Sequence, residues 1–261
     1  IAKLASGKDY LSPNIELLVD DIIEKNFRQK LINFLEKWLK NKTDTILKSL
    51  VDLKDLKEKN SSIKALAYQL YENNGVLKRI QVSEYLNNLG QNERKTLRDL
   101  GVKFGRYHVF LHRLIKPEAV SLRTLLWKNY HQKYFNLKPP TFGLNFLDNE
   151  NPKNKHFMLL CGFEKFDSFY VRIDILERLF MQIINSTTEK LKEIKMIPEM
   201  LNLLGCSKDN FKKLLKNMDY KIIEKDNEVF FKYNPKKTFK KIDKKITKES
   251  PFEVLKNLNF N

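Results

Sequence analysis

Residues 197–234 read IPEMLNLLGCSKDNFKKLLKNMDYKIIEKDNEVFFKYN, and the order of helix, turn, helix and strands in this stretch decides the fold class. Pro198 suits the first helical position, where its missing N–H costs nothing, and Gly205 suits the tight turn that follows. A second helix is expected from about Ser207 to Asn217, then two alternating strands around an Asp226-Asn227 turn. In a helix-turn-helix the second helix is the one that enters a nucleic-acid groove, and here it carries Lys208, Lys212, Lys213 and Lys216. The competing reading makes the module a packing or protein-docking element with solvated lysines.

The same order stands upstream. SSIKALAYQLYENNGV reads as a helix stopped by Gly75, QVSEYLNNLG as a short second helix, and QNERKTLRDLG as a third ending at Gly101; VKFGRYHVFL then reads as two strands meeting at Gly105 and Arg106. Three helices and a hairpin is the order of a winged helix. The expected fold is therefore mainly α with small β-hairpins (α+β), a helical bundle with winged-helix-like units.

Outward from these two stretches, residues 13–58 read as helix, with Ser12 as N-cap and Pro13 in the first turn. Leu31, Phe34, Leu35, Trp38 and Leu39 form its apolar stripe, which makes Trp38 a packing anchor rather than a ligand platform. An amphipathic helix follows Lys116-Pro117, with Ala119, Leu122, Leu126 and Tyr130 toward a core and Arg123, Lys128 and Lys133 toward another side. NLKPPTFGLNFLDNENPKNK reads as an irregular polar loop, FMLLCGFEKFDSFYVRI as two strands around a turn, and IDILERLFMQIINSTTEK as a core helix. The expected organisation is an N-terminal helical segment (1–60), a winged-helix-like unit plus the amphipathic helix (61–135), a second α+β unit with helix-turn-helix and wing (136–234), and a basic tail (235–261).

With 261 residues, 42% of them hydrophobic, the chain is long enough for a buried core. No run approaches the apolar length that spans a bilayer, and a soluble, cytoplasmic protein with no membrane partner is expected. The formal net charge is +17, which suits a polyanionic partner. Part of that charge clusters. Residues 100–133 hold seven basic groups, Lys103, Arg106, Arg113, Lys116, Arg123, Lys128 and Lys133, against the single acid Glu118, a local net of +6. A strand-holding surface needs cations for phosphates and planar groups for bases. Arg106, Tyr107 and His108 at the hairpin tip, with Lys103 and Arg113 nearby, supply both types; a packed hairpin face is the alternative for Tyr107 and His108. The candidate nucleic-acid-binding set is Lys103, Arg106, Tyr107, His108, Arg113, Lys116, Arg123, Lys208, Lys212 and Lys213. The tail NPKKTFKKIDKKITKES reads as a further basic arm.

Enzymatic readings find little support. Cys161 and Cys206 lie far apart and read as buried thiols, and with four scattered histidines no metal site is expected. His156 and Cys161 lack an orienting acid for nucleophilic catalysis, and Asp20-Asp21 read as solvated. ASGKD fails as a phosphate loop, because Ala2 stands where glycine is needed and Asp9 where a hydroxyl is needed. No catalytic residue is assigned. The opening IAKLASGKDYLSPN, without an initiator Met, leads to the expectation that the chain is part of something longer.

LRDLGVKFGRYHVFLHRLIKPEAVSLRTLLWKNYH, YVRIDILERLF and IPEMLNLLGCSKDNFKKLLKNMDY, with LASGKDYLSPN before them and SPFEVLKNL after, resemble in the same order the C-terminal region of alphaproteobacterial-type ATP-dependent helicases. These are related to the mitochondrial degradosome RNA helicase, a DExH branch of superfamily two. The resemblance implies that ATP and Mg are bound by motor domains elsewhere in a parent helicase. It also implies that this region needs no cofactor of its own, is not itself an enzyme, and helps hold the strand leaving the motor. The implied partners are single-stranded RNA or DNA, the helicase motor domains in cis, and a ribonuclease. The heavy lysine content departs from that family. A protein-interaction scaffold docking on the motor domains or on a ribonuclease is the alternative.

Overall fold

The computed structural model describes residues 2–18, 24–56, 61–148, 154–185, 193–225 and 228–234. Strands β1 (Ala2–Ala5) and β2 (Asn14–Leu17) come first, then helices α1 (Lys25–Ile46) and α2 (Lys48–Lys54). One order of elements then recurs. The first repeat is α3 (Ser61–Glu72), β3 (Val76–Lys78), α4 (Ser83–Asn87), α5 (Gln91–Asp99), β4 (Val102–Phe104) and β5 (His108–Leu111). The second is α6 (Pro117–Tyr130), β6 (Phe146–Asp148), α7 (Lys155–Leu160), β7 (Phe163–Lys165) and β8 (Phe169–Arg172). The third is α8 (Ile173–Asn185), β9 (Ile194–Lys195), α9 (Pro198–Leu204), α10 (Lys208–Asn217), β10 (Tyr220–Lys225) and β11 (Glu228–Tyr233).

Each repeat builds a three-stranded antiparallel sheet whose centre is the last strand of the hairpin, in the orders β3-β5-β4, β6-β8-β7 and β9-β11-β10. That connectivity is the one a winged helix has; the second repeat holds one helix between its outer strand and its hairpin among the described residues. The first two hairpins share their register, Val102 opposite Leu111 and Phe163 opposite Arg172, with Val76 and Phe146 on the far side of Phe110 and Val171. The same backbone turn leads into all three hairpins. Two residues past the helix, Gly101 (φ +91°), Gly162 (φ +86°) and Asp219 (φ +62°) take the left-handed conformation, and the strand begins at the next residue.

Local chemistry explains the boundaries. Pro117 and Pro198 open α6 and α9, and the preceding Lys116 and Ile197 are extended, as a residue before proline prefers. Ser207 Oγ accepts from Asn210 N–H (3.2 Å) at the start of α10, and Asn154 Oδ1 from Phe157 N–H (3.0 Å) at the start of α7. The repeats share cores rather than standing apart. β8 runs into α8 without a loop, and Phe169 and Val171 of β8 pack with Leu176, Phe180, Phe211 and Phe231 of the third repeat. A small cluster of Val76, Phe110 and Ile173 joins the first repeat to α8.

Several expectations change. Ser12-Pro13 start a strand, not a helix: Asn14 to Leu17 alternate exposed and half-buried and pair with β1 from Ala5 to Ala2. Gly7 packs so closely on the Ser12 carbonyl that a Cβ would not fit, which closes the hairpin ahead of the helical pattern. α1 is helical, but Phe34 and Trp38 are 64% and 53% exposed, so its stripe is only partly covered and Trp38 is no core anchor. The Pro- and Asn-rich loop contains β6, and FMLL is helix α7, since four successive apolar residues after an Asn cap lack the alternation of a strand. Tyr130 is exposed rather than core, and Cys206 is half-buried, its thiol raised to about 11 by burial and the nearby Asp148 charge. Asp20-Asp21, the Asp226-Asn227 turn and the basic tail lie outside the described residues.

Candidate nucleic-acid interface

The hairpin turn between β4 and β5 is held by a carboxylate 70 residues away. Glu177, on α8 and almost fully buried, accepts the backbone N–H of Arg106 at Oε2, and those of Tyr107 (3.0 Å) and His108 (2.7 Å) at Oε1. A Cβ on Gly105 would run into that carboxylate, so glycine is required there by close approach. The His108 ring is buried between two acids, Nδ1 at 2.9 Å from Glu177 and Nε2 at 3.3 Å from Glu164, and Lys78 completes the chain at 2.7 Å from Glu164. His108 therefore belongs to an internal ion network and not to a binding surface. Tyr107, half-buried, packs edge-on against Phe180 at 4.9 Å; of the hairpin-tip residues only Arg106 is exposed, its guanidinium over the rings of Tyr107 and Tyr233.

This network carries a pH signature. Burial draws the His108 pKa down, but the hydrogen bonds and charges of Glu164 and Glu177 outweigh it, and the result lies above 6.5. Burial raises the Glu164 carboxyl, and hydrogen bonds from His108 and Lys78 with their charges bring it below 4.5. A raised histidine stabilises fully below its unfolded value and ceases to do so as pH climbs through the folded one. A depressed carboxylate stabilises above its unfolded value and ceases to do so as pH falls through the folded one. Both contribute between pH 4.5 and 6.5. The urea midpoint of the wild type relative to His108→Asn is expected to be greatest in that window and to shrink on either side; a pH-independent difference would contradict the network.

Arg123 departs furthest from expectation. It is fully buried, with Nη1 donating to the Asn74 carbonyl (2.7 Å) and Nη2 to those of Leu114 (3.1 Å) and Leu160. Asn74 follows α3 and Leu160 ends α7, so the cation sits at two helix C-termini, where carbonyls point outward and the dipole is negative. Burial lowers its pKa to about 10, which leaves it charged at neutral pH. It can touch no ligand. The sequence cluster as a whole does not survive as one patch: Lys103 lies exposed on the edge strand β4, Arg106 at the hairpin tip, Arg113 and Lys116 beside α1, and Lys128 bonds the Leu137 carbonyl.

Apart from Lys103, the exposed cations of the candidate set fall in three places. Arg106 lines an 820 Å³ cleft where the turns of the first two repeats meet the end of α10, with Lys78, Arg79, Lys155 and Lys165 against Glu164, Asp167 and Asp219. Arg113 and Lys116 line a 440 Å³ groove against α1. The third place is α10. Its inner face buries Phe211, Leu214 and Leu215, leaving Lys208, Lys213 and Lys216 exposed, while Lys212 is half-buried and pairs with Glu224 at 2.6 Å. The hydrogen bond from Lys212, its charge, and those of Lys208 and Lys216 together hold the Glu224 carboxyl below its ordinary range. Three of the α10 lysines thus act on one point.

Sequence reading missed Glu177 and Glu164 because nothing local marks them: each has other charged residues within three positions, Asp174 and Arg178 or Lys165 and Asp167, and its partners are distant. His108 and His112 are four apart but do not converge, one buried on β5 and the other exposed in the turn after it. Among the described residues no group of His, Cys, Asp and Glu side chains is arranged to hold a metal ion, and no helix is long and apolar enough to cross a membrane. Comparison of the chain with family models, curated proteins and solved structures found no match.

Proposed function

We infer that this chain is a nucleic-acid-binding region that holds a strand of RNA or DNA on the basic faces of its winged-helix-like repeats. The observation that carries the reading is α10. It is the second helix of a helix-turn-helix with a left-handed Gly205 between the two, it is followed by a hairpin, and its solvent face presents Lys208, Lys213 and Lys216. A helix that presents exposed cations gains affinity by releasing counterions from phosphates. The sequence resemblance supports a setting beside the motor domains of an ATP-dependent helicase, with ATP and Mg bound by those domains and no ATP hydrolysis by this chain alone. Phe27 and Phe34, 58% and 64% exposed on α1, favour a second reading in which this face docks on the motor domains or on a ribonuclease.

Titration of labelled single-stranded RNA and DNA at two salt concentrations tests the first reading. The wild type is expected to bind with strong salt dependence. A triple variant, Lys208→Ala, Lys213→Ala and Lys216→Ala, is expected to lose affinity and to reduce the slope of log K against log salt by about 2–3, near one per phosphate contact. No binding at low salt would leave the docking reading.

A further inference from the structure

The groove between α1 and the start of α6 combines features found nowhere else among the described residues. Trp38 is 53% exposed at its rim, whereas the other tryptophan, Trp127, is 7% exposed and stacked on Tyr134. Lys42, one helical turn after Trp38, lines the same groove, as do Arg113 from the turn after β5 and Lys116 from the residue before α6. No ion pair among the described residues engages any of these three cations. Glu118 is the one carboxylate of the lining, so the groove is +2, three cations less one acid. Its 440 Å³ is in the size range of sites for small organic groups.

An exposed indole surrounded by uncompensated cations is a poor seat for an apolar helix, which would have to desolvate the charges without neutralising them. It suits a planar group that carries its own negative charge. Resting on the nucleic-acid reading above and sharpening it, we propose that the groove is a single-strand subsite: an unpaired base stacks on Trp38 while its flanking phosphates meet Lys42, Arg113 and Lys116. A duplex is excluded, because its bases are already stacked on each other and offer no free face to the indole. The subsite therefore selects single strands over duplexes of the same sequence.

Tryptophan fluorescence tests this directly, since Trp38 is the accessible one of the two. Unlabelled single-stranded oligonucleotides are expected to quench emission, and the matching duplex is not. Trp38→Ala should weaken single-strand binding about 5- to 150-fold and leave duplex binding as it was, while Trp38→Phe, which keeps an aromatic face, should retain most of the affinity. Arg113→Glu with Lys116→Glu should weaken binding and flatten its salt dependence. The exposure of Trp38 makes its replacement tolerable to the fold, which the unfolding midpoint checks. Single-strand binding unchanged in Trp38→Ala overturns the subsite but leaves the broader reading; absence of all nucleic-acid binding in the wild type overturns both. Quenching by an acidic peptide but by no oligonucleotide assigns the groove to a protein and overturns the proposal.

Discussion

Glu177→Gln is expected to lower the unfolding free energy by about 3 kcal/mol, although it exchanges one oxygen for a nitrogen of nearly equal size. The carboxylate receives three backbone N–H groups and lies against the His108 ring, and both the carboxylate and the ring are buried. An amide keeps one acceptor oxygen. If that oxygen stays on Tyr107 and His108, the new NH2 faces the Arg106 N–H, donor against donor; the reverse orientation offends the other side. Burial prevents water from making good the loss. Denaturant unfolding gives the magnitude, and amide hydrogen exchange gives the place: protection at Arg106, Tyr107 and His108 should fall by more than at the α10 helix. Uniform loss of protection would mean that Glu177 supports the molecule generally rather than this turn.

Arg123→Met should be costlier, about 3–5 kcal/mol, which is a large part of the stability of an ordinary domain. Methionine fills much of the volume but donates nothing, so the carbonyls of Asn74, Leu114 and Leu160 are left buried without their donor. These three groups belong to the end of α3, the turn after β5 and the end of α7, and their common partner is a polar tie between the first repeat and the second, beside the apolar packing of Ala119 and Leu126. Arg123→Lys retains the charge but can reach fewer carbonyls from a single ammonium, and should fall between wild type and Arg123→Met. An unfolding free energy for Arg123→Met within about 1 kcal/mol of wild type, from urea denaturation, would show that the carbonyls find other partners.

Much of the repeat architecture is legible in the sequence where local signals agree. Gly75, Gly101 and Gly205 mark real left-handed turns, Pro117 and Pro198 real helix starts, and Ser207 a real cap. The middle repeat is harder to read because its outer strand, β6, lies in a run of prolines and asparagines and is only Phe146–Asp148, too short to show alternation. Its hairpin is plain once Gly162 is matched to Gly101, since both precede a strand of three residues and a turn of three. Of the candidate binding residues on α10, Lys208 and Lys213 are exposed because Phe211, Leu214 and Leu215 take the buried face, whereas Lys212 is half-buried against Glu224.

The amino-acid order by itself determined where α6, α9 and α10 begin and where Gly75, Gly101 and Gly205 turn the chain, since those depend on neighbours within four or five residues. It did not determine the fate of a charge. Arg113 and Arg123 sit ten positions apart in one basic run, yet the first is exposed beside Trp38 and the second is sealed among carbonyls from residues 74, 114 and 160. Trp38 and His108 exchanged their expected places, the supposed anchor open to solvent and the supposed contact locked between Glu164 and Glu177. The reason is one of range. Burying a polar group is permitted only where partners arrive from other parts of the chain, and those partners are brought together by packing between repeats, which no local pattern encodes.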